Sequence, residues 1–173
     1  MNAARKVAAR VKEPAPVYIG QAALWRAAES PMRDTPILLD THAWLWTLDG
    51  TSGALGKPAI RLIEQAAGHG RLYVSDISFW EVAMLVAKGR LELAAEPALW
   101  LERAARAPGI QLLPLTRNVL IESTRLAGTS HGDPADRMLL AHAQVAGASL
   151  LTCDKGIVAY AARTPGVPVC DAR

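Results

Sequence analysis

The chain has 173 residues, of which 51% are hydrophobic and 20% charged, with a formal net charge of +3. That length fits one domain with a sizeable core, and so apolar a composition excludes a disordered chain. Two cysteines, Cys153 and Cys170, exclude a disulfide scaffold, and no apolar run approaches the length of about 18 residues that a membrane span needs.

Residues 1–36 carry Arg5, Lys6, Arg10, Lys12, Arg26 and Arg33 against Glu13, Glu29 and Asp34, which is the whole excess of +3. Residues 37–173 hold thirteen basic and thirteen acidic residues and are neutral. The basic pI therefore does not describe a uniformly basic nucleic-acid-binding domain. Pro14, Pro16, Pro31 and Pro36 punctuate the first segment, and one short helix is expected over 21–29. No apolar stretch follows the basic start, which excludes a secretory signal. Residues 1–35 read as a mobile extension. An organelle transit peptide and a translation start at Met32 are the alternatives. Residues 36–173 form the folded domain.

From Ile37 short apolar runs alternate with helical periodicity. Strands are expected at 37–39, 72–74, 110–113, 149–152 and 167–169. Helices are expected at 41–48, 57–67, 78–88, 97–107, 117–127, 134–146 and 155–162. Gly70, Gly89, Gly109, Gly128 and Gly147 stand where helices should stop. Buried strands alternating with helices predict an α/β fold with a parallel sheet covered on both faces.

Such sheets bind ligands beyond the C-terminal ends of their strands. Asp40 ends the run Ile37-Leu38-Leu39, and Asp154 ends the run 149–153. Glu81 lies one turn into the helix after 72–74, and Asp136 lies in the first turn of 134–146. Each has a plain structural alternative. Ser78-Phe79-Trp80-Glu81 reads as a capping box. Asp133 suits an N-cap, Pro134 the first helical position, and Asp136 the positive end of the helix dipole. Asp40 and Asp154 are themselves candidate caps. Four acids at one sheet edge repel one another and hold on to protons unless a cation offsets them. Oxygen donors without cysteine or histidine suit Mg²⁺ or Mn²⁺, and such sites work on phosphates.

Leu38-Leu39-Asp40-Thr41-His42-Ala43-Trp44-Leu45-Trp46 resembles the opening strand and helix of PIN-domain ribonucleases, the VapC-type toxins of toxin–antitoxin pairs. Ser78-Phe79-Trp80-Glu81-Val82-Ala83-Met84-Leu85 with Lys88-Gly89-Arg90-Leu91 resembles the second motif. Asp133-Pro134-Ala135-Asp136-Arg137 and Leu151-Thr152-Cys153-Asp154 resemble the third and fourth. The resemblance runs from about residue 36 to the end and leaves residues 1–31 outside. It implies a PIN-like (flavodoxin-like) three-layer sandwich around a parallel sheet. It implies that Asp40, Glu81, Asp136 and Asp154 hold Mg²⁺ and form the catalytic site of an endoribonuclease, with Thr41 and Thr152 in support. Asp133 is assigned to the helix cap. An RNA substrate, a cognate antitoxin, a homodimer and a cytoplasmic location are also implied. The alternatives are a PIN nuclease of RNA processing and a non-catalytic RNA-binding PIN domain. A haloacid-dehalogenase-like phosphatase is excluded, because it needs a second Asp two positions after Asp40, where His42 stands.

Other residues are less marked. Arg137 reads equally as a phosphate ligand or as an ion-pair partner of the acids. His131 reads as a loop residue, and His42, His69 and His142 as structural. Lys155 and Arg163 read as surface. Trp44, Trp46, Trp80 and Trp100 read as packing or interface side chains before base-stacking ones. Met84, Leu85 and Val86 read as core, with a groove for an antitoxin helix as the alternative. Cys153 and Cys170 read as reduced core thiols.

Overall fold

A computed structural model describes residues 9–11, 35–50, 54–126, 133–164 and 166–173. In chain order the elements are β1 (Ala9–Val11), β2 (Ile37–Leu39), α1 (Thr41–Asp49), α2 (Lys57–Gly68), β3 (Leu72–Ser75), α3 (Asp76–Ala87), β4 (Leu91–Leu93), α4 (Pro97–Ala105), β5 (Gln111–Leu113), α5 (Arg117–Arg125), α6 (Pro134–Ala146), β6 (Ser149–Thr152), α7 (Lys155–Arg163) and β7 (Val169–Asp171). The five expected strands form one parallel sheet in the order β5-β3-β2-β6-β7. The chain runs outward from β2 to β5 on one side, then returns to build β6 and β7 on the other. The C-terminal end of central β2 is thus where a ligand crevice is expected.

Period-2 alternation in β2 divides the core. Ile37 and Leu39 face one cluster with Leu72, Val74, Leu151, Trp44, Ile63, Val82 and Trp100. Leu38 faces the other, with Leu150, Leu139, Leu140, Ile157 and Tyr160. Helices α1, α2 and α4 therefore cover one face and α6 and α7 the other. Val82 of α3 joins the first cluster and Ile77 the second. These are the three expected layers. Trp44 and Trp100 are fully buried and meet edge to face, with ring centroids 6.2 Å apart. Trp80 is 51% exposed and lies outside this core.

Two strands are additions to the expected set. β4 is absent from the central sheet and pairs in parallel with β1, in the register Ala9 to Leu91, Arg10 to Glu92 and Val11 to Leu93. The helix expected over 21–29, Gly128 and His131 lie outside the described residues. The last strand lies at 169–171 rather than 167–169, because Leu150 and Leu151 pair with Val169 and Cys170. The α3 helix begins two residues earlier than expected, since Ser75 Oγ accepts the Ile77 N–H at 3.3 Å and takes the cap. Gly147 closes α6 with φ 61°, the left-handed conformation that favours glycine.

Candidate active site

Asp40 leaves β2 at its C-terminal end, and its N–H donates to the Leu151 carbonyl of β6 at 3.0 Å. Burial of the side chain is nearly complete, at 7% exposure. One carboxylate oxygen accepts the His42 N–H at 3.2 Å and caps α1. The other accepts a hydrogen bond from the buried Thr152 hydroxyl at the end of β6. Thr152 Oγ1 in turn accepts the Asp154 N–H at 2.9 Å. Asp154 caps α7 by accepting the Ile157 N–H at 2.8 Å, and it is exposed. Two neighbouring strand ends are thus tied by one chain, Asp40 to Thr152 to Asp154. The capping reading of Asp40 and Asp154 therefore holds.

Glu81 departs from the expected capping box. Ser75 already caps α3, and Ser78 is buried within the first turn with no hydrogen-bond partner for its hydroxyl. Glu81 instead accepts a hydrogen bond from Thr41 Oγ1, the first residue of α1, at 2.7 Å. The bond joins the α3 acid to the turn that follows Asp40. Burial pushes the Glu81 carboxyl above the usual range, the Thr41 bond pulls it back, and the Asp40 charge adds to the rise.

Asp136 lies in the first turn of α6, behind Asp133, which caps the helix by accepting the Ala135 N–H at 2.8 Å. Burial pushes its carboxyl up to about 7, and the charges of Asp133, Asp154, Asp40 and Glu81 act in the same direction. Asp136 is therefore within electrostatic reach of the other three predicted acids and of Asp133. The cap assignment of Asp133 holds, and its charge also bears on Asp136. Among the described residues no three His, Cys, Asp or Glu side chains are grouped closely enough to enclose one ion. Local donors explain this spread: Thr152, Thr41 and the helix N–H groups each hold a carboxylate in its own direction. An acid that keeps its proton to about pH 7 beside four others, with hydroxyls as the neighbouring donors, is chemically suited to a hard divalent cation.

Arg137 departs from the ion-pair reading. Its Nε and Nη2 both donate to the Ser123 carbonyl, at 3.0 and 2.7 Å, and bind α6 to α5. Of the histidines, His69 Nδ1 meets the Gln65 carbonyl at 2.7 Å, and the His42 ring lies 5.9 Å from that of Trp46. Buried His142 bonds to Ser75 Oγ at 2.8 Å. That bond links the cap of α3 to α6, the two helices that carry Glu81 and Asp136. The signal for it in the sequence is a histidine at the buried helical spacing Ala135, Leu139, His142, which demands a polar partner. Lys155 and Arg163 are exposed. Leu85 and Val86 pack on the core. Cys153 and Cys170 are free thiols and only partly buried.

A family model of the PIN domain matches residues 37–163. Ribonuclease VapC22 of Mycobacterium tuberculosis is 33% identical over 122 residues, which make up 70% of this chain and 88% of that protein. The crystal structure of DNA-bound VapBC from Salmonella typhimurium matches with a TM-score of 0.57 at 18% identity, covering 80% of this chain and 99% of that one. VapBC2 from Rickettsia felis, bound to a DNA fragment from its promoter, matches with a TM-score of 0.55 at 14% identity, covering 78% and 96%. At such identities these two structures carry the fold alone.

Proposed function

The chain belongs to the PIN domain family, and from that premise we propose that it is a divalent-metal-dependent endoribonuclease, the toxin of a toxin–antitoxin pair. The observation that carries this reading is the electrostatic convergence of Asp40, Glu81, Asp136 and Asp154, with Asp136 held protonated to about pH 7. Burial first, and then the charges of the neighbouring acids, disfavour the ionised Asp136 carboxyl, and a cation would offset both. Mg²⁺ suits its all-oxygen chemistry, with Mn²⁺ the alternative, and Asp40, Glu81, Asp136 and Asp154 would hold it. Bound there, the ion lowers the pKa of water and offsets charge developing on a phosphodiester.

The protein's own part is to orient the acids. Thr152 fixes the Asp40 carboxylate, and Thr41 fixes that of Glu81. Asp154 is exposed and caps α7. The name of the Mycobacterium tuberculosis relative supports ribonuclease activity, and the VapBC titles support a protein antitoxin as partner. A homodimer belongs to the same reading, and Leu120 and Ile121 of α5 and Val145 of α6 are three of the six exposed large apolar side chains among the described residues. RNA as substrate accords with a cytoplasmic protein. Among the described residues no helix is long and apolar enough to cross a membrane.

The test is cleavage of a structured RNA by the purified chain. Activity is expected with Mg²⁺ or Mn²⁺, arrest with EDTA, and recovery when the metal is returned. Cleavage that proceeds unchanged in EDTA would overturn the reading.

A further inference from the structure

The pairing of β1 with β4 lies outside everything the nuclease reading needs. β4 begins four residues after the end of α3, and among the described residues its only strand partner is Ala9–Val11. That partner comes from beyond the family match, which starts at residue 37. Along β4, Leu91 is part of the core, Leu93 is half-buried and Glu92 is exposed. The register sets Ala9 and Val11 against the two leucines and Arg10 against the glutamate. Along this register the residue types match, with Ala and Val opposite Leu and Arg opposite Glu, a pattern that favours this pairing over a shifted one. Arg5, Lys6, Arg10 and Lys12 are the charged side chains of the first twelve residues, and all four are cationic.

We propose that the β4 edge is a strand-addition site for a short extended peptide carrying an apolar–cation–apolar triplet, and that residues 9–11 of this same chain are its built-in ligand. A two-stranded ribbon of three residues a side is marginal by itself. What holds it is attachment: 25 residues, 12–36, join Val11 to Ile37. They reach roughly 85 Å when extended, so the span is no obstacle. Tethering supplies an effective concentration on the order of millimolar. A second protein presenting the same triplet has to displace the tethered one, which sets a threshold on strand addition at this edge.

Amide hydrogen exchange on the full chain tests this without reference to nuclease activity, so its failure and that of the proposed function are separable. The double substitution Arg10→Pro and Val11→Pro removes an amide from each alternating hydrogen-bonding position of β1. We expect exchange at residues 91–93 to quicken at least tenfold while the five-stranded sheet stays protected. A synthetic peptide of residues 5–16, at millimolar concentration, should restore protection to the variant and leave the wild-type chain unchanged. Arg10→Glu should also quicken exchange, and Glu92→Arg in the same chain should reverse it. Protection should not depend on protein concentration. Equal exchange in wild type and the proline variant overturns the proposal, as does a peptide without effect. Loss of protection throughout the domain would make β1 part of the fold rather than a ligand. Concentration-dependent protection would assign the strand to a second copy, against the tethered arrangement.

Discussion

Thr41 and Glu81 stand 40 positions apart in the chain and 2.7 Å apart in space, hydroxyl to carboxylate. Thr41 opens the helix that Asp40 caps, so this bond places the α3 acid relative to the β2 acid. Thr41→Val keeps the shape and deletes the donor. Glu81 then loses the larger of the two interactions that lower its pKa, while burial and the charges of Asp40 and Asp133 continue to raise it. Metal affinity, read by calorimetric titration with Mn²⁺, should fall roughly tenfold, the worth of a hydrogen bond to a charged group. RNA cleavage at limiting metal should fall with it, and unchanged affinity would remove Thr41 from the site.

Asp136 gives the metal-free protein a pH dependence with a definite sign. Its carboxyl titrates near 3.8 when unfolded and near 7 when folded. Between those values the unfolded chain has lost the proton and the folded chain still holds it. Stability therefore falls as pH rises from about 4 to about 7. Denaturant unfolding in EDTA should record that fall, and Asp136→Asn should flatten it while abolishing cleavage. A wild-type profile flat over this range would contradict the assignment.

His142 works in the opposite direction. Burial pushes its pKa below the usual 6.5, and the charge of Asp76 only partly opposes this. The unfolded chain takes up a proton below about pH 6.5 that the folded chain resists, so stability is lost as pH falls below that value. Ser75→Ala leaves the imidazole without its hydroxyl partner and should cost about 1–3 kcal/mol at pH 7, by denaturant unfolding. A cost near zero would mean that another group or a water replaces the hydroxyl.

Arg137 separates a structural from a substrate role cleanly. Arg137→Met removes both bonds to the Ser123 carbonyl and should destabilise the protein by about 1–3 kcal/mol. RNA affinity measured on the folded variant should be unchanged. Full stability with weakened RNA binding would assign Arg137 the phosphate-ligand role instead.

The legible part of this fold was the aliphatic runs. Ile37–Leu39 and Ser149–Thr152 stand where the pattern put them, because buried parallel strands must be continuously apolar. The acids were legible as positions, since each follows a strand or opens a helix. Their partners were not. Ser78 and Glu81 satisfy a local rule for a capping box, but Ser75 lies three residues earlier and takes the cap first, which frees Glu81 for Thr41. Arg137 finds a carbonyl on a neighbouring helix, a relation that no spacing encodes. β4 escaped because Leu91-Glu92-Leu93 is too short for its alternation to register, and its partner strand comes from a segment without a core pattern.

Asp40 joins every part of the account: it ends β2, caps α1, takes the Thr152 hydroxyl and adds its charge to Glu81 and Asp136. The most direct measurement is therefore RNA cleavage by Asp40→Asn beside the wild-type chain, both with Mg²⁺ and both verified as folded by their unfolding curves. The account predicts that the variant folds and that its cleavage falls at least a hundredfold, to a level that Mn²⁺ does not restore. A folded Asp40→Asn protein that cleaves RNA at the wild-type rate would contradict it.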